Sequence, residues 1–108
     1  MKHEVIRKPG VSIVILKGDV DLESSPTARE VLLKSVDGAD RVLVDLSSVT
    51  YIDSSGVASL VEALHAAKRN GGRLALVAAS DPTRRVLELA RLDKVFTIYA
   101  SVEEGIQA

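Results

Sequence analysis

The sequence predicts one α/β domain, a mixed and mostly parallel sheet of about four or five strands with helices packed against it. Three observations point there. Short apolar, β-branched segments alternate with amphipathic helical segments, the loops between them are short, and 108 residues hold one core and no second domain. Strands that alternate with single helices over such loops imply parallel pairing through right-handed crossovers.

Each element has its own signal. Residues 3–7 form a weak strand candidate, and Lys8-Pro9-Gly10 supplies a turn, because proline fixes φ and glycine accepts positive φ. Val11-Ser12-Ile13-Val14-Ile15-Leu16 is rich in β-branched residues and ends at Gly18, so these two segments are expected to pair as a hairpin. Ser24-Ser25-Pro26 reads as a helix start, a hydroxyl that caps free N–H groups followed by a first-turn proline. Ala28, Val31, Leu32 and Val36 follow at helical spacing until Asp37-Gly38. Arg41-Val42-Leu43-Val44-Asp45-Leu46 is apolar with little alternation, as expected of a central strand covered on both faces.

A second helix is expected after Asp53, with Val57, Leu60, Val61 and Leu64 inward and Lys68 and Arg69 favouring its C-terminal dipole. Asn70-Gly71-Gly72 is its stop. Residues 73–78 form another short strand. Asp81-Pro82 is expected to cap a third helix carrying Val86, Leu87, Leu89 and Ala90. An edge-type strand over residues 95–99 and a frayed helical turn over Val102–Gln107 complete the order ββαβαβαβ with a helical tail.

Composition narrows the function. Apolar residues make up 46% of the chain and charged ones 27%, as in ordinary globular domains. With no cysteine there is no disulfide, thiolate metal site, iron–sulfur cluster or cysteine nucleophile. The longest apolar runs, residues 13–16 and 42–44, fall far short of the roughly 20 residues that span a bilayer. Nothing resembling a signal peptide follows Met1, so a cytoplasmic protein without membrane insertion is expected. A formal charge of −1 gives no general attraction to nucleic acid.

The segment with chemical interest is Val49-Thr50-Tyr51-Ile52-Asp53-Ser54-Ser55-Gly56, between the most buried-looking strand and the best-patterned helix. In α/β sheets, ligands and partners meet the loops beyond the carboxyl ends of the strands. Asp53 is the expected N-cap, which places Ser54 and Ser55 in the first turn near free N–H groups and the positive end of the dipole. Gly56 lies where alanine would favour the helix by about 1 kcal/mol, which suggests a close approach by something else.

Hydrolase chemistry fails on geometry. There is no G-x-S-x-G elbow, and His65, eleven residues along the same helix, would lie roughly 16 Å from Ser54. His3 belongs to the opening strand. Nucleotide cradles are missing, since Gly71-Gly72 ends a helix rather than opening one. Asp45 alone does not supply the acid cluster and lysine of a phospho-aspartate receiver. What remains is a serine that another enzyme modifies. A phosphate on Ser54 would add roughly −1.5 to −2 charges at a place that tolerates anions, while a partner docked there would meet an unpaired dianion. Tyr51 has two readings, an interface residue or a core residue.

Val44-Asp45-Leu46-Ser47-Ser48-Val49-Thr50-Tyr51-Ile52-Asp53-Ser54-Ser55-Gly56 closely resembles the signature of STAS domains, specifically those of bacterial anti-sigma factor antagonists. Leu16-Lys17-Gly18-Asp19-Val20-Asp21-Leu22 is similar to that family's L-x-G-[DE]-[IVL]-D strand end, and Ser24-Ser25-Pro26 to its following helix start. Over essentially the whole chain, residues 1–108, the resemblance implies a STAS fold and a partner switch. An unphosphorylated antagonist binds an anti-sigma factor, commonly a serine kinase, and frees a sigma factor. The kinase then modifies the serine after the motif's aspartate, here Ser54, and a serine phosphatase reverses it.

ATP and magnesium belong to the kinase in this scheme, so no cofactor and no metal is expected on this chain. Partner contacts are implied for Asp53, Ser54, Ser55, Gly56, Asp19 and Asp21, with no catalytic residue and a monomer as the expected state. Many members read D-S-S-G-L-G, whereas this chain has Val57-Ala58 after Gly56. STAS domains also occur in stressosome proteins, in anion transporters and in a lipid-transport ABC complex, and the alternative reading is a constitutive STAS scaffold or a subunit of a stressosome or lipid-transport ABC complex.

Overall fold

In the computed structural model, which describes residues 1–108, the elements are β1 (Lys2–Lys8), β2 (Val11–Val20), α1 (Ser25–Gly38), β3 (Arg41–Ile52), α2 (Ser54–Arg69), β4 (Arg73–Val77), α3 (Asp81–Leu89), β5 (Ile98–Tyr99) and α4 (Val102–Gln107). They build one five-stranded sheet in the order β1-β2-β3-β4-β5. The β1–β2 pair is an antiparallel hairpin and every later pair is parallel. Gly10 turns the hairpin with φ of 78°, a conformation open to glycine at little steric cost.

Consecutive strands are neighbours, so α1 and α2 cross over on the same face and pack side by side. Leu32 and Val36 of α1, Leu60 and Leu64 of α2, and Val14, Leu16, Val42, Val44, Leu46 and Leu76 of the sheet form the main core. Val31 and Val61 line its margin rather than its centre. A smaller cluster on the opposite face joins Val11, Ile13, Leu43, Ala75 and Val77 to Val102 and Ile106 of α4. The central strand is thus covered on both faces, as its unbroken apolar run requires.

Several elements differ from the sequence expectation, β2 among them, since it runs past Gly18 to Val20. β3 continues to Ile52 because the end of β2 keeps pairing with it, Lys17 with Ser48 and Val20 with Ile52, across two register shifts. β5 is only Ile98–Tyr99: Val95 and Phe96 instead turn back on Leu92, and the Phe96 ring enters the core. α3 is preceded by Ser80 as N-cap, with Asp81 already in its first turn, and Leu89 is 80% exposed. The terminal helix is docked rather than frayed. Gly105 sits against Leu43 and Val77, and the Arg41 guanidinium donates to the Gly105 and Ile106 carbonyls.

Candidate functional site

The long β2–β3 pairing carries both strands to one rim, where the β2–α1 loop and the start of α2 meet. Asp53 is the hinge of this rim. Its backbone N–H donates to the Val20 carbonyl at 3.3 Å, and its extended backbone ends the strand. One carboxylate oxygen accepts from the Ser55 and Gly56 N–H groups at 3.0 and 3.1 Å and from the Ser55 hydroxyl. This is a helix N-cap, filling two of the first-turn donors that no intrahelical carbonyl can reach. The other oxygen crosses to the neighbouring loop and accepts the Leu22 N–H at 3.2 Å.

The two serines therefore differ. Ser55 is half-buried and its hydroxyl is engaged by Asp53, whereas Ser54 is exposed at the first helical position, where its hydroxyl faces solvent. Gly56 is buried, and the close approach that it was expected to permit comes from within the chain. A Cβ there would stand 2.6 Å from the Val20 carbonyl oxygen and 2.7 Å from Ile52 Cγ1. Glycine lets α2 seat directly on β2, so the close approach expected at this position is made by the chain's own β2–β3 end.

Asp19 and Asp21 reach the same rim with different jobs. The Asp19 carboxylate accepts from the Thr50 hydroxyl of β3 at 2.7 Å, so it ties the strand ends together. Asp21 folds the loop: its Oδ1 accepts from the Glu23 and Ser24 N–H groups and from the Ser24 hydroxyl. The Ser24 hydroxyl accepts the Asp21 N–H and also lies within donating distance of the Asp19 carbonyl, 2.9 Å in each case. It makes no side-chain cap on α1, contrary to the sequence reading, because its hydroxyl is turned back onto the Asp19–Asp21 segment.

Asp53 and Asp21 both titrate below the ordinary carboxylate range. For Asp53 the main cause is the Ser55 hydroxyl, outweighing the desolvation that acts the other way. For Asp21 it is the Ser24 N–H and then the Ser24 hydroxyl, opposed by desolvation and by the charge of Asp53. Hydrogen bonds to the ionised form favour it. At neutral pH the rim beside Ser54 is anionic.

Two apolar side chains stand out around these acids. Tyr51 is 51% exposed at the end of β3, so core packing is not its role. Leu22, in the β2–α1 loop, is 77% exposed although its backbone is pinned to Asp53. Sequence reading passed over Leu22. The available signal was one large apolar residue inside the otherwise polar run Asp21-Leu22-Glu23-Ser24-Ser25. Ala58, which replaces the second glycine of the common motif, is exposed in a shallow α1–α2 groove beside Ser55 and the Arg29–Glu62 ion pair. Asp45, the receiver-like candidate, accepts the Ser47 N–H within its own strand, and His65 is exposed on α2.

Known proteins match this architecture. The chain is 30% identical to the anti-sigma-B factor antagonist of Bacillus subtilis over 94 residues, 87% of this chain and 86% of that protein. It is likewise 30% identical over 87 residues to the anti-sigma-B factor antagonist of Staphylococcus aureus, covering 80% and 81% of the two chains. Among solved structures, an anti-sigma factor antagonist from Mycobacterium paratuberculosis superimposes with a TM-score of 0.87 at 27% identity, over 98% of this chain and 91% of that one. The Bacillus cell fate determinant SpoIIAA in its phosphorylated form shares the fold, with a TM-score of 0.77 at 18% identity over 98% and 97% of the two chains. The STAS domain family matches residues 2–105, and the chain belongs to that family.

Proposed function

We propose that this chain is an anti-sigma factor antagonist, a binding module switched by phosphorylation of Ser54. Unphosphorylated, it docks its Ser54 rim on an anti-sigma factor that is also a serine kinase, and a sigma factor is released for transcription. Phosphorylated, it lets go until a serine phosphatase restores it. It works in the cytoplasm as a monomer and by binding rather than catalysis, with ATP and magnesium supplied by the kinase. The relatives named above as antagonists, and the solved phosphorylated form of SpoIIAA, support the reading.

One observation carries it: Ser54 stands exposed at the first position of α2 with its hydroxyl free, while Asp53 occupies Ser55. Asp53 holds the helix tip, Ser54 receives the phosphate, and Asp19, Asp21 and Ser55 shape the polar surface around it. A phosphate there meets a helix N-terminus, so the domain tolerates it. A docked partner meets a dianion with no counter-charge, and removing that from water costs several kcal/mol.

The test is to incubate the chain with each anti-sigma factor kinase of its own organism, ATP and magnesium, and to map the product by mass spectrometry. One phosphate on Ser54, abolished in Ser54→Ala, is the expected result. Phosphate confined to Ser55 or Thr50, or no incorporation with any of them, overturns the assignment.

A further inference from the structure

Most exposed leucines need no explanation, because folded surfaces carry much apolar area. Leu22 differs in how it is held. The Asp21 carboxylate accepts from the two N–H groups that follow it, Glu23 and Ser24, and the Leu22 N–H itself is bound by Asp53. Both ends of the loop are fastened too, the Asp53 N–H on the Val20 carbonyl and the Ser25 N–H on the Asp21 carbonyl at 2.7 Å. The backbone is thus fixed around a side chain that packs on almost nothing in its own chain. None of these hydrogen bonds is needed to bury Leu22. All of them fix where it points from, and the same carboxylate that fixes it caps the helix carrying Ser54.

An interface draws most of its energy from a few apolar or aromatic anchors, and an anchor ordered beforehand loses less entropy on binding. A leucine fixed beside the modification site meets both conditions. Its occupant must be apolar, and continuity with the Ser54 rim assigns it to the same partner. Resting on the functional reading above, we infer that Leu22 is the apolar anchor that enters a hydrophobic recess of the anti-sigma factor, and that Asp53 is the positioning residue that holds it there.

The chemistry of Asp53→Asn isolates this role. Asparagine still offers one oxygen to the Ser55 and Gly56 N–H groups and is as good an N-cap as aspartate. Its amide nitrogen then faces the Leu22 N–H, donor against donor, so the helix tip is kept while the loop contact is lost.

The experiment measures affinity for the anti-sigma factor that the wild-type chain binds, with the wild type, Leu22→Ala, Leu22→Met, Asp53→Asn and the double variant Leu22→Ala/Asp53→Asn. Leu22→Ala should weaken binding roughly tenfold or more with an unchanged melting temperature, and Leu22→Met should restore most of the loss. Asp53→Asn should bind more weakly, and its Leu22 amide should exchange faster with solvent. The double variant should bind about as weakly as Leu22→Ala alone, since the anchor is already gone. Wild-type affinity in Leu22→Ala overturns the anchor, and strictly additive losses overturn the positioning role, while both leave the Ser54 switch standing. A wild-type chain that binds no anti-sigma factor defeats the functional reading and this inference with it.

Discussion

At position 56 the chain admits only a hydrogen atom as a side chain. A methyl group there would fall 2.6 Å from the Val20 carbonyl oxygen, a backbone atom that cannot swing aside. Alanine would gain about 1 kcal/mol of helix propensity but overpack the α2–β2 contact by about 1–3 kcal/mol. Gly56→Ala should therefore lower the denaturant midpoint, and a midpoint equal to or above the wild type would contradict the packing argument. Two residues earlier the opposite holds. Ser54 is exposed and its hydroxyl is unused, so Ser54→Ala should change stability by no more than about 0.5 kcal/mol while removing the modification site. The contrast separates a residue the fold requires from one the fold merely displays.

At the level of elements, the rim is a junction of three pieces held by two acids. Asp21 folds the β2–α1 loop, and Asp53 caps α2 and fastens that loop to it. Both carboxyls titrate lower in the folded chain than in the unfolded one. Their contribution to stability is therefore fully present above the unfolded value of about 3.8 and is lost as the pH falls through the lower folded values. The melting temperature should decline as the pH is taken below that point, and Asp53→Asn should flatten the decline. A variant curve parallel to the wild type would contradict the role given to Asp53.

Much of this junction was legible in the sequence. The Asp53 cap, the start of α2 and the adjacency of the Asp19–Asp21 segment all follow from local signals or from the family pattern. The remainder depended on contacts distant along the chain. Ser47 and Ser48 look like a loop until the end of β2 is known to pair with them, and Ser24 looks like a cap until Asp21 and Asp19 are placed beside it. The docking of α4 is invisible without Arg41, more than sixty residues away in sequence, reaching the Gly105 and Ile106 carbonyls. Gly56 was recognised as a close approach, but only the fold shows that Val20 makes it.

For the whole molecule, the arrangement separates stability from recognition. The main core lies between the sheet and α1–α2, and α4 covers part of the other face. Asp53, Ser54 and Leu22 stand on the rim beyond the strand ends, outside both clusters. A charge added at Ser54 is thereby kept from the packing that holds the domain together, while it lies where another protein would have to dock. The most direct measurement compares Ser54-phosphorylated and unphosphorylated chain in two ways, by affinity for the anti-sigma factor and by thermal unfolding. The phosphate should weaken binding by about a hundredfold or more with the melting temperature nearly unchanged, because an interface loses several kcal/mol and the core loses none. Equal affinity of the two forms, or a phosphorylated chain that has lost its fold, would contradict the account.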